Sequence, residues 1–140
     1  DVALAIAERR AAASGRPLFT IQADLEDHTL GSALAKVNGR LPEAEITLVS
    51  CFHYLNRRLL ATVAQDLPPG AVFAASIATI ANLQRNARPP RRFLLEPGEL
   101  FRLVVGGQAE GLEVLRDDEG WHDGHHHEAD LVVRKPPDQV

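Results

Sequence analysis

The sequence is poor in cysteine and contains no methionine. The 140 residues include one cysteine, Cys51, which excludes an internal disulfide framework and any zinc site built from several cysteines. A lone cysteine suits a reducing compartment, so we expect a cytoplasmic protein. The chain starts at Asp1, directly in a helical pattern and without an initiator methionine, so we expect an incomplete N-terminus.

Long hydrophobic runs and an excess of positive charge are also missing. The apolar stretches are short and interrupted, whereas a membrane-spanning helix needs roughly 20 apolar residues, and no basic start followed by an apolar run marks a secretory signal. The net charge is -4, from 15 basic and 19 acidic residues, so bulk electrostatics favours binding neither to nucleic acid nor to an anionic membrane. We therefore expect neither as a partner.

The composition that remains is 45% hydrophobic and 24% charged, as in one globular domain covering residues 1–140. In the first half, apolar spacing predicts a sheet-packed helix over Val2–Ser14. A strand over Leu18–Gln22 then runs into an acidic loop. One or two helical turns fall within Thr29–Glu45, and the apolar run Ile46–Cys51 is typical of a strand buried on both faces.

The second half alternates helix and strand and then ends in a hairpin. The patterns predict a helix over Arg57–Asp66, a strand over Ala71–Ile77 and a helix over Leu100–Val105. Two alternating segments follow, the first from Leu112 and the second over Ala129–Val133. The order predicts an α/β fold, with a doubly wound, mostly parallel sheet that ends in an antiparallel hairpin.

Four segments in this order resemble a known family. They are Gln22–Glu26 after a strand, Ser50–Arg57 after the next, Leu67–Gly70 before the third, and Phe93–Leu100 leading to the hairpin. Together they resemble the second half or more of a class I S-adenosylmethionine-dependent methyltransferase, most like the tellurite-resistance (TehB-like) group. The resemblance implies a Rossmann-like sheet with the cofactor lying across the carboxyl ends of its strands.

The family's first strand and Gly-rich turn are lacking, since the sequence contains no GxGxG motif. In the family's strand order, the first strand lies between the strand ending near Asp24 and the one starting near Ile46. Its absence leaves exposed strand edges. We therefore expect the 140-residue chain to fold poorly unless a partner or a further segment fills this gap.

The resemblance also implies roles for residues that follow two of the strands. Asp24 and Leu25 resemble the adenine contact, although Asp24 also suits a local turn cap. Cys51, Phe52 and Tyr54 resemble the segment that touches the methionine end of the cofactor.

His53 is a candidate proton acceptor, because the ordinary pKa of histidine lies near neutrality; a packed polar side chain at a strand end is the alternative. Arg57, Arg88 and Arg91 are candidate ligands for an anionic substrate, with solvated surface arginines as the alternative.

The most unusual local composition is the segment Trp121–Glu128. Four of its residues are histidines within a span of six, namely His122, His125, His126 and His127. Imidazoles bind divalent metals, but these residues fall in a hairpin turn without the helical spacing that presents two ligands on one face. We expect no physiological metal site in this turn.

The resemblance implies that the complete protein transfers a methyl group from S-adenosylmethionine to a small acceptor, such as the oxyanion tellurite or a thiol. The resemblance implies catalysis mainly by proximity and alignment. Two alternatives stay open: a non-catalytic remnant or binding module of the same fold, and an α/β domain that senses metal through its His-rich turn. The oligomeric state stays open as well.

Overall fold

The sheet of this protein is mixed, with one parallel and two antiparallel strand pairs. A computed structural model describes residues 1–106 and 111–138. In sequence order, the strands are β1 (Leu48–Phe52), β2 (Val72–Ala78), β3 (Glu113–His122) and β4 (His126–Arg134). Their order across the sheet is β1-β2-β4-β3. Among the described strands the sheet is mostly antiparallel, so the prediction of a mostly parallel sheet is wrong for it, while the doubly wound arrangement stays a prediction.

Within residues 1–106 and 111–138, the structure has five α-helices and two named 3-10 helices. The α-helices are α1 (Val2–Ser14), α2 (Leu30–Arg40), α3 (Arg57–Leu60), α4 (Val63–Asp66) and α5 (Glu99–Val104); the 3-10 helices span Ile80–Gln84 and Arg91–Phe93. None of the helices described is long and apolar enough to cross a membrane. The single helix predicted over Arg57–Asp66 is instead two short helices, α3 and α4.

The C-terminal hairpin is confirmed. β3 and β4 pair antiparallel, and the turn between them contains Asp123 and Gly124, both with positive φ. Backbone of this kind matches the right-handed twist of the flanking strands, and Asp-Gly is among the dipeptides that adopt it most readily. Strand β3 extends to His122, so the turn is shorter than the predicted one, which began at Gly120.

Three predictions for the N-terminal half are wrong. Residues 18–22 form no strand, because among the described residues they have no ladder partner. The strand predicted to be buried on both faces is β1, an edge strand with Leu48 and Phe52 exposed. Helix α1 buries none of its residues, so it does not pack against the sheet as predicted.

Helix α2 is longer than the one or two turns predicted, because side chains from elsewhere in the chain bind its N-terminal amides. The first turn of a helix leaves backbone N–H groups without partners inside the helix. Here Leu30 N donates to Thr62 Oγ1 at 2.9 Å and Gly31 N donates to Asp66 Oδ2 at 2.8 Å. A Cβ at Gly31 would lie 3.0 Å from the Asp66 carboxylate, so any larger residue there would push the carboxylate away from the amide.

The core lies on one face of the sheet. Alternate residues of β2 and β4 are buried there, including Phe73, Ile77, Leu131 and Val133. The residues between them point to the opposite face, which is more accessible. This alternation, the period of a strand, separates an apolar core from the polar side chains of the open face.

Candidate functional site

A large cavity opens at the carboxyl ends of the parallel strands β1 and β2. It has a volume of about 640 Å³, and its lining includes His53, Tyr54, Asn56, Arg58, Arg92 and Phe93. Doubly wound sheets bind ligands at this edge of parallel strands. Arg57 also lines the cavity, together with Arg58 and Arg92. Three arginines and one acidic residue, Glu26, are thus among the described lining residues, and this excess of positive charge favours an anionic ligand.

A second groove of about 400 Å³ runs beside β1. Leu25 lines it from one predicted cofactor segment, and Cys51, Phe52 and Tyr54 line it from the other. Tyr54 borders both this groove and the larger cavity. The structure thus brings together four of the five residues predicted to bind cofactor, although their role stays a prediction.

Asn56 ties the two predicted cofactor segments together. Its Nδ2 donates to the Leu25 carbonyl oxygen at 2.7 Å, while its Oδ1 accepts from the backbone N–H of Leu59 at 3.1 Å. The residue is buried, so both bonds are shielded from water. Sequence reasoning did not select Asn56, although asparagine immediately before a helix is a recognised capping signal.

Asp24 lies at the surface next to the groove. Its Oδ1 accepts from the backbone N–H of Glu26 at 3.1 Å, which closes a local turn. This is the bond expected of the alternative, a turn-capping aspartate. The second carboxylate oxygen leaves capacity for another donor, so the adenine contact stays a prediction.

His53 directly follows β1 and has an unusual backbone conformation. Its φ is 58°, a left-handed value that is uncommon outside glycine, and its N–H donates to the Ser76 carbonyl oxygen at 2.8 Å. The side chain is 72% exposed, and its Nδ1 lies 3.6 Å from Glu128 Oε1. The imidazole is thus open to solvent at the wall of the cavity, and its role as a proton acceptor stays a prediction.

Cys51 is a poor nucleophile. Burial raises the pKa of its thiol, because desolvation disfavours the thiolate. Its Sγ lies 3.4 Å from the Tyr54 carbonyl oxygen as a weak donor. These contacts support a packing role at the groove wall.

The three arginines predicted to bind substrate lie apart. Arg57 is held by Glu99, whose Oε2 lies 2.6 Å from Nε and whose Oε1 lies 3.1 Å from Nη2. Hydrogen bonding between these side chains raises the pKa of Arg57 and lowers the pKa of Glu99. Arg91 pairs with Glu96 at 3.0 Å, and Arg88 lines a separate cavity of about 570 Å³. Their substrate role stays a prediction, and Arg57 is the one of the three that reaches the large cavity.

The histidines of the hairpin do not act as one group. His127 Nδ1 lies 2.6 Å from Thr79 Oγ1, and its ring meets Trp121 edge to face. His126 lies 3.8 Å from an Asp123 carboxylate oxygen. His122 instead faces Asp130 on the sheet, away from the turn.

No protein-family model and no curated protein matches the sequence. Among solved structures, the chain is similar to the [4+2]-cyclase SpnF, with a TM-score of 0.52 and 15% sequence identity. The match covers 96% of this chain and 61% of the SpnF chain, so this chain spans less than two thirds of its neighbour's length. At this identity the likeness establishes one thing, that the chain shares its fold with SpnF.

Proposed function

We propose that this chain binds S-adenosylmethionine in the groove beside β1, and that the whole protein transfers the cofactor's methyl group to a small anionic or thiol acceptor. The observation that carries the proposal is the shared groove of Leu25, Cys51, Phe52 and Tyr54. Two segments distant in sequence, both similar to cofactor-binding segments of class I methyltransferases, line one cavity there. The fold shared with SpnF is compatible with this reading.

The groove fits the adenosyl part of the cofactor in its chemistry. Its wall is mostly apolar, as small-molecule sites commonly are, and the Tyr54 and Phe52 rings offer faces for stacking. The Asp24 carboxylate lies at the surface beside it and can accept from an exocyclic amine. When bound, S-adenosylmethionine would supply an electrophilic methyl group on a sulfonium.

The larger cavity suits the acceptor. Because Tyr54 borders both spaces, an acceptor in the large cavity lies next to a ligand in the groove. Arg58 and Arg92 on its wall would attract an oxyanion such as tellurite or a thiolate. His53 would accept the proton from a protonated acceptor, and the remaining contribution is alignment.

The binding test is calorimetric titration of the chain with S-adenosylmethionine and with S-adenosylhomocysteine. We expect Tyr54→Ala to weaken binding about tenfold, which corresponds to the loss of roughly 1.4 kcal/mol of stacking. The matched control is Leu115→Ala, an exposed residue on β3, which should leave the Kd unchanged. A chain that melts cooperatively yet binds neither compound saturably would overturn the proposal.

The acceptor test is transfer of a labelled methyl group to tellurite and to a small thiol. Arg92→Ala should raise the KM for the anionic acceptor, because Arg92 lines the cavity, whereas Arg9→Ala on helix α1, away from the cavity lining, should not. Cofactor binding without transfer to either acceptor would favour the alternative, a non-catalytic binding module.

A further inference from the structure

A second cluster of polar side chains lies on the open face of the sheet, away from the groove. His122, Glu128 and Asp130 each offer a ligand atom, and these atoms all lie within 4.8 Å of one another. The donors come from two strands, β3 and β4. We propose that this cluster binds a divalent transition metal ion of the zinc class.

The donor set has the chemistry of such a site. Zinc takes imidazole nitrogen and carboxylate oxygen at about 2.0–2.2 Å, which places tetrahedral ligands about 3.4 Å apart. His122 Nε2 and Asp130 Oδ2 are already 3.4 Å apart. The three donors leave the fourth tetrahedral position to a water molecule.

The carboxylates are held in place by a neighbouring hydroxyl group. Ser76 Oγ lies 2.8 Å from Glu128 Oε2 and 2.7 Å from Asp130 Oδ1. A hydroxyl has one proton to donate, so it cannot satisfy both carboxylates at once. Both side chains are largely shielded, with exposures of 17% and 16%, and two shielded negative charges this close favour a cation between them.

The sheet leaves room for an ion above Glu128. The residue directly opposite it on β3 is Gly120, and the one opposite it on β2 is Ala78. No heavy atom lies within 4 Å of the position that a Cβ on Gly120 would occupy. The small neighbours therefore open a gap on this face, bordered by His122 and Asp130.

One cation already contacts the cluster. Arg116 Nη2 lies 3.3 Å from Asp130 Oδ2, while its Nε lies 2.9 Å from Asp118 Oδ2. A metal ion would compete with this guanidinium for Asp130, and Arg116 would keep Asp118 as its partner. Removing Arg116 should therefore tighten metal binding, a result that a purely structural ion-pair cluster does not predict.

The test is calorimetric titration of the chain with zinc chloride. We expect saturable binding of one ion, weakened at least about tenfold by His122→Ala and by Asp130→Asn. His125→Ala and His126→Ala, in the same hairpin but outside the cluster, should change the Kd less than about twofold. Ser76→Ala should retain binding, and Arg116→Ala should tighten it about threefold or more. His122 is 43% exposed, so its variant tests the site without disturbing the core.

Each result distinguishes the site from its alternatives. If His125→Ala and His126→Ala weaken binding as much as His122→Ala, the His-rich turn holds the ion and the proposal is wrong. If the cooperatively melting wild-type chain binds no zinc saturably, the cluster is an ion-pair network only. The titration needs no S-adenosylmethionine, so its outcome is independent of the proposed methyl transfer.

Discussion

Replacing Glu99 with glutamine tests whether the Arg57–Glu99 pair anchors the wall of the large cavity. Two hydrogen bonds join the side chains, and Glu99 Oε1 also accepts from the backbone N–H of Glu96 at 2.9 Å. Glu99 is 15% exposed, but Arg57 is 42% exposed, so solvent screening reduces the energy of the pair. Glutamine keeps one acceptor and loses the charge, and we expect a loss of about 1–2 kcal/mol in the free energy of unfolding at pH 7.

The loss should depend on pH in a defined direction. Arg57 lowers the pKa of Glu99 below its ordinary value of 4.5, so the pair's stabilisation is complete above that value and is lost as pH falls through the lower native pKa. The difference between wild type and Glu99→Gln should therefore be constant from neutral pH down to about 5 and shrink below it. Urea unfolding followed by circular dichroism, down to the lowest pH at which both proteins unfold cooperatively, measures it.

The matched control is Glu96→Gln, which removes the more exposed pair with Arg91. We expect it to cost less than about 0.5 kcal/mol. Equal stabilities of Glu99→Gln and wild type at pH 7, or a difference that does not change with pH, would show that the Arg57–Glu99 geometry does not stabilise the fold.

Two further predictions concern buried polar groups. Asn82 donates to the carbonyl oxygens of Thr79 and His127 and accepts from His127 N. Asn82→Ala should therefore lower the free energy of unfolding, measured in urea, by about 2–3 kcal/mol. The control is Asn38→Ala at an exposed position, and equal effects of the two substitutions would contradict the reasoning. Because burial raises the pKa of Cys51, iodoacetamide should alkylate the native thiol at least about tenfold more slowly than the urea-unfolded one, and equal rates would show that the thiol is accessible.

The sequence was sufficient where a local signal determines the structure. The Asp123-Gly124 turn between two alternating segments predicted the hairpin, because few residues adopt positive φ. The apolar run after Pro68 and Gly70 predicted β2 for a similar reason, since turn residues mark where a strand begins. The segments around Leu25 and Tyr54 were also selected from sequence, and they line one groove.

Sequence reasoning failed where a structure depends on residues far away. Residues 18–22 have the composition of a strand, yet composition cannot supply a ladder partner, and none of the described strands pairs with them. Helix α2 was underestimated because its first amides are bound by Thr62 and Asp66, more than 30 residues away. Nothing in the sequence indicated the partner of Arg57, because Glu99 lies 42 positions further along the chain.

By itself, the sequence determined the hairpin and the strand β2, because their signals lie within a few neighbouring residues. Only the tertiary structure decided that β1 is an edge strand. It also decided that His122 belongs to β3 and lies beside Asp130. Pairing register decided the latter: antiparallel β3 and β4 place alternate side chains on one face of the sheet. Residues that the sequence places in or near a turn, His122, Glu128 and Asp130, therefore form one cluster on the sheet.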